Sequence, residues 1–84
     1  MHRFRIRAGL DPQSLPRVAN YFAQRAIVPR EMVMRVLPTH MRIDVTVSGL
    51  AAGQAEIIAA KLGEVVTVTG AELEHLTMEL AAAG

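Results

Sequence analysis

The chain has 84 residues, enough for one domain. Apolar residues make up 51% and aromatic residues 4%, so a packed core is available but must be built mainly from Val, Ile, Leu, Met and Ala. The net charge of +1 is too small to argue for nucleic acid, and zero cysteines exclude disulfides and thiolate metal sites.

No apolar run reaches the roughly 18 residues that a membrane span needs. The opening "MHRFRIRAGL" alternates apolar and basic residues, which argues against a signal peptide, and with nothing pointing elsewhere the cytoplasm is the expected location. Within it, Phe4, Ile6 and Ala8 alternate with Arg3, Arg5 and Arg7, the period of a strand with one buried face. After a turn over residues 9–13, Leu15, Val18, Ala19, Phe22, Ala23 and Ala26 recur at helical spacing and predict an amphipathic helix. Its start is set by Pro16, which in a second turn would cost about 3 kcal/mol. Ser14 as N-cap makes Pro16 the second helical residue, where its missing N–H has no partner to lose.

Residues 28–37, "VPREMVMRVL", predict a strand, and Pro29 and Pro38 at its ends suit a sheet edge. After "PTH", the segment "MRIDVTVSG" alternates again, with Met41, Ile43, Val45 and Val47 on one face and Arg42, Asp44 and Thr46 on the other. A second helix is expected over 51–62, with the stripe Ala55, Ile58, Ala59 and Leu62 and Gly63 as its C-terminal glycine. "EVVTVT", residues 64–69, predicts a fourth strand. In the tail 70–84, Leu73, Leu76 and Leu80 stand at helical spacing, with Glu72, Glu74 and Glu79 on a solvated side. The order βαββαβ with right-handed crossovers predicts an α+β, ferredoxin-like sandwich: a four-stranded antiparallel sheet with two helices on one face. The core is expected over residues 3–69 of a single domain.

Catalytic equipment is sparse. His2, His40 and His75 each stand alone in the sequence and read as surface histidines rather than metal ligands. Ser14 and Ser48 fall at turns or helix starts, where capping accounts for them. No metal, cofactor or catalytic residue is expected. Strands one and three are neighbours in this topology, so Arg3, Arg5, Arg7 and Arg42 should share the sheet face away from the helices, partly offset by Asp44 and Glu31. That face is a solvated surface or a docking face for an acidic partner or a second copy. RNA recognition would need aromatic residues there to stack bases, and none of the aromatic residues is placed there.

The pieces "DPQSLPRVANYFAQRAIVPREMVMRV", "MRIDVTVSGL" and "EIIAAKLGEVVTV" together resemble the ACT domain, and more narrowly the short regulatory subunits of acetolactate synthase, over residues 4–69. The resemblance implies a non-catalytic regulatory chain, homodimeric, bound to a thiamine-diphosphate-dependent large subunit in branched-chain amino acid synthesis. The alternative it implies is a stand-alone amino-acid-binding regulator of another pathway. It places an effector at Asp11, Gln13, Ser14, Leu15 and Val28. At three positions the sequence departs from the pattern: Gln13 and Ala26 stand where glycines are usual, and Val28 where effector-binding subunits carry asparagine. Activation with weak amino-acid binding is the resulting expectation.

Overall fold

A computed structural model describes residues 1–76. The elements are β1 (His2–Ala8), α1 (Ser14–Gln24), β2 (Glu31–Val36), β3 (Met41–Val47), α2 (Ala52–Leu62) and β4 (Val68–His75). The sheet order is β2-β3-β1-β4, and each neighbouring pair is antiparallel. This is the expected βαββαβ sandwich, with β2 at an edge. Among the described residues no helix is long and apolar enough to cross a membrane.

The core follows from the alternation. Phe4 and Ile6 of β1 lie opposite Val45 and Ile43 of β3, and all four are buried. Val18, Tyr21 and Phe22 of α1 and Ala55, Ile58 and Leu62 of α2 complete the cluster from the helix side. The Phe22 ring lies 5.8 Å from that of Phe4 and 5.6 Å from that of Tyr21, within the range of favourable aromatic pairs. The buried face of α1 is rotated from the expected stripe. Ala23 and Ala26 are exposed, and Ser14, Val18, Tyr21 and Phe22 face inward. A tyrosine ring buries far more apolar area than two alanine methyls, and the helix turns accordingly.

Three local expectations are corrected. Neither Ser14 nor Ser48 caps a helix. The cap positions are Gln13 and Ala51, neither with a side-chain hydrogen bond, and Ser14 is the first residue of α1. Pro16 is thus the third helical residue, still among those whose N–H lacks an intrahelical acceptor. Gly63 does end α2, but at φ −63°, a right-handed backbone open to any residue.

The largest correction concerns the last strand, expected over 64–69. It begins at Val68 and runs to His75, through residues assigned above to a helical tail. Turn hydrogen bonds from Val65 N to Leu62 O and from Val68 N to Val65 O hold residues 62–68 out of the sheet. A bulge opposite Arg7 and Ala8 then shifts the register, so the inward positions are Val68, Ala71 and Leu73. The bulge breaks the period of two, and Leu73, opposite Phe4, belongs to the strand. Leu80 and Glu79 lie outside the described residues.

Candidate functional site

The loop between β1 and α1 is closed by its own hydrogen bonds. The Gly9 N–H donates to Thr67 O at 2.8 Å, and the Asp11 N–H donates to Gly9 O at 2.8 Å. Asp11 Oδ1 accepts the Gln13 N–H at 2.7 Å, and Asp11 O accepts the Ser14 N–H at 3.0 Å. Ser14 Oγ is buried, 2.9 Å from Gly9 O and 2.9 Å from Thr67 Oγ1. A hydroxyl has one hydrogen, so Ser14 donates to the carbonyl and Thr67 donates to Ser14. Thr67 holds φ +79°, a rare backbone for a β-branched residue, and these contacts fix it there. Nothing in the local sequence marks Thr67 for this role.

These bonds decide what the loop can offer a ligand. The start of α1 is a poor anion site, because the Gln13 and Ser14 N–H groups are taken by Asp11 and Pro16 has none. Of the resemblance-derived positions, Asp11 and Ser14 are engaged within the loop. Leu15 is half-buried against the core, and Gln13 is exposed beside Pro16, Arg17 and Asn20 on an open hollow. Val28 follows α1 and is 88% exposed. Gln13 and Val28 flank the 11 residues of α1, a separation of about 16 Å along its axis. A single amino acid touches both only if a second subunit brings them together.

The end of α1 shows why glycine is usual at position 26. The Ala26 N–H donates to Ala23 O and the Ile27 N–H to Phe22 O, the paired bonds of a Schellman closure. Ala26 takes the left-handed position at φ +57°. The preceding Arg25 stacks its guanidinium 3.6 Å from the Tyr21 ring centroid and donates to Tyr21 O at 3.0 Å.

The face of the sheet away from the helices carries three cross-strand rows. Glu31, Thr46, Arg3 and Glu74 form the first; Val33, Asp44, Arg5 and Glu72 the second; Arg35, Arg42, Arg7 and Gly70 the third. Arg3 pairs with Glu74 at 2.8 Å, and Arg42 Nε lies 3.4 Å from Asp44 Oδ2. The expected arginine face is present, and all three aromatic side chains are in the core, as expected. A cavity of about 220 Å³ opens at the third row and beneath the β2–β3 turn, lined by Arg5, Arg7, Arg42, His40, Glu72 and Gly70 among others.

His2 is not the isolated surface group expected, and His75, though exposed as expected, is not isolated. Antiparallel pairing sets His2 opposite His75, with rings 4.9 Å apart and His75 Nδ1 3.2 Å from His2 Nε2. His2 is only 3% exposed, and its Nδ1 is buried without a partner. Burial foremost, then the neighbouring His75 and the N-terminal amine, lower its pKa. This pairing was hidden because β4 was placed too early. Among the described residues no three His, Cys, Asp or Glu side chains gather as a metal site.

A search among curated protein sequences finds no match. The solution structure of the ACT domain from GTP pyrophosphokinase of Chlorobium tepidum superimposes with a TM-score of 0.77 at 12% identity, covering 90% of this chain and 86% of that one. Its crystal structure gives 0.69 at 13% identity, over 87% and 95% of the two chains. The C-terminal domain of MgtC from Mycobacterium tuberculosis gives 0.62 at 11% identity, over 87% and 83%. At such identities the likeness is one of fold. The sequence itself matches the family described as ACT-like domain across residues 1–80, and the chain belongs to that family.

Proposed function

We propose that this chain is a non-catalytic regulatory subunit that works by association, and that its partner is the large subunit of acetolactate synthase. ACT domains are generally regulatory. The observation that carries the reading is β2, a bare edge strand. Its inner face is only partly covered: Met32 packs against the core, but Met34 and Val36 remain 39% and 62% exposed. Val33 on the other face and Val28 just before the strand add to the apolar surface. Exposed apolar surface beside unpaired backbone groups is what a sheet offers to another chain. A homodimer through β2 is the simplest use of it, with the catalytic subunit bound by the resulting pair. The choice of acetolactate synthase rests on the resemblance of "LPRVANYFAQR" and "KLGEVVTV" to its small subunits.

The second reading, an amino-acid sensor of another pathway, requires a working effector site. The self-bonded β1–α1 loop and apolar Val28 speak against one. An amino acid gives up hydration on binding, and each unreplaced polar contact costs about 1–3 kcal/mol.

Co-purification with the large subunit, followed by assay of acetolactate formation with and without this chain, tests the proposal. Stimulation that valine does not suppress is the expected result, with calorimetric titration of valine showing nothing tighter than roughly millimolar. A saturable micromolar isotherm restores the sensor reading. Failure to bind or stimulate the large subunit removes acetolactate synthase as the partner.

A further inference from the structure

The third row of the open sheet face is electrostatically unlike the other two. Each of those includes acidic side chains, and Arg3 is held by Glu74. In the third, Arg35, Arg42 and Arg7 stand side by side on three adjacent strands with no acid among them. Directly opposed residues on paired strands lie about 4.5–5.5 Å apart at Cβ, where like charges oppose folding. Asp44 reaches only Arg42, and at 3.4 Å the contact is loose. Among the described residues Arg7 and Arg35 have no ion-pair partner.

The row ends at Gly70, and that is where the cavity opens. A Cβ built on Gly70 meets nothing within 4 Å, so the missing side chain leaves real space rather than relieving a clash. Arg5, Arg7 and Arg42 line this space, together with His40 of the β2–β3 turn. His40 Nδ1 is engaged by Thr39 Oγ1 at 3.0 Å, which leaves its Nε2 for a ligand. Glu72 is the one acid on the lining. The volume of about 220 Å³ is below the roughly 300–1,000 Å³ of drug-sized sites. It suits a small, doubly charged group.

We infer that this cavity is a binding site for a phosphate group, either free or carried by a small metabolite, held by Arg7 and Arg42 with His40 at its rim. Guanidinium forks match the tetrahedral oxygens of phosphate in pairs, and a dianion offsets the repulsion between Arg7 and Arg42. The site lies on the face opposite the helices and does not depend on the effector loop or on the identity of the catalytic partner.

Calorimetric titration of the full chain at low salt, with inorganic phosphate in one arm and glycerol phosphate in the other, tests it. The two arms distinguish free phosphate from a phosphorylated metabolite. Saturable binding is expected, with a thermal stabilisation that chloride at equal ionic strength does not reproduce. Arg7→Gln and Arg42→Gln should each weaken binding about tenfold or more, the scale of one lost charge-assisted contact. Gly70→Glu fills the cavity with an internal carboxylate and should abolish binding while the chain stays folded. Arg3→Gln, in the first row, should leave binding unchanged. Absence of saturable heat in both arms overturns the inference. So does an Arg7→Gln isotherm equal to that of the unmodified chain. An Arg7→Gln change that alters sedimentation but not phosphate binding assigns the row to a protein contact instead.

Discussion

The two outer strands of the sheet are finished in different ways. β4 is completed by its own chain: α2 packs on it, and Val68, Ala71 and Leu73 turn into the core. Its outward residues Glu72 and Glu74 stand opposite Arg5 and Arg3 of β1. β2 is less covered: Met32 packs against the core, but its other apolar residues stay largely open to solvent. Prolines at 29 and 38 limit how far it can pair. Both are sheet edges, but β4 has its inner face covered by α2, whereas the inner face of β2 stays largely open. The stability of the isolated chain should therefore reside in the covered side, and its associations in the bare one.

Substitution on the two sides can separate these roles. Phe22→Ala removes a ring that is 1% exposed and in contact with Phe4 and Tyr21. A loss of about 3–5 kcal/mol is expected, enough to unfold much of a domain this small, and thermal or urea denaturation will measure it. An unchanged midpoint would place the core elsewhere. Ser14→Ala should cost less, about 1–3 kcal/mol, because it removes one of the two hydrogen bonds to the Gly9 carbonyl and leaves the half-buried Thr67 hydroxyl without its Ser14 partner. Ser14→Thr is the companion variant: it keeps the hydroxyl and should recover part of the loss.

The turn that feeds the bare edge offers a gain. Ala26→Gly relieves a left-handed alanine worth roughly 1–2 kcal/mol, against an unfolded-state cost for glycine of about 0.4–1 kcal/mol. A net stabilisation of about 0.5 kcal/mol in urea melts is expected, and a destabilised variant would mean that the Schellman closure does not govern this turn.

The seam between β1 and β4 is expected to be acid-sensitive. Burial foremost, and then His75, hold the pKa of His2 below its ordinary 6.5 in the fold. Above that pH neither folded nor unfolded His2 carries a proton. As pH falls below it, the unfolded chain takes up a proton that the fold resists, so stability declines. The fall of melting temperature as pH drops below about 6.5 should flatten in His2→Gln. An unaltered slope would trace the acid sensitivity to other groups.

The smallest effect on folding should come from Val36→Asp on β2, within about 0.5 kcal/mol for an exposed site. Its effect on assembly should be the largest of the set. Sedimentation at high micromolar concentration should show the unmodified chain as a dimer and Val36→Asp as a monomer. A monomeric unmodified chain would show that the exposed apolar face of β2 does not drive association.

Legibility in the sequence followed the regularity of the elements. β1 and β3 keep strict alternation, so their buried faces and the arginine face could be read residue by residue. α2 showed its stripe for the same reason. β4 could not be read, because its bulge interrupts the alternation and Leu73 and Leu76 stand at helical spacing. The site features lost with it are those that need two distant segments. Ser14 meets Thr67 across 53 positions, and His2 meets His75 across 73. Their partners become visible only when the last strand is placed. The left-handed backbone of Ala26 was hinted at by the glycine usual at that position, but the conformational reason required the closing hydrogen bonds.

The place of β1 has a consequence for how the chain becomes a domain. It is the earliest strand in the sequence and the central one in space, with β3 on one side and β4 on the other. Its second neighbour is complete only at His75, so most of the chain must be synthesised before the sheet can close. Until then β1 has one unpaired edge and its row of arginines lacks the acids of β4. Contacts between such distant segments slow folding, because the loop entropy is lost before the pairing is gained. The nascent chain should therefore resist proteases only after β4 has emerged, and a chain ending before Val68 should remain unfolded even with both helices present.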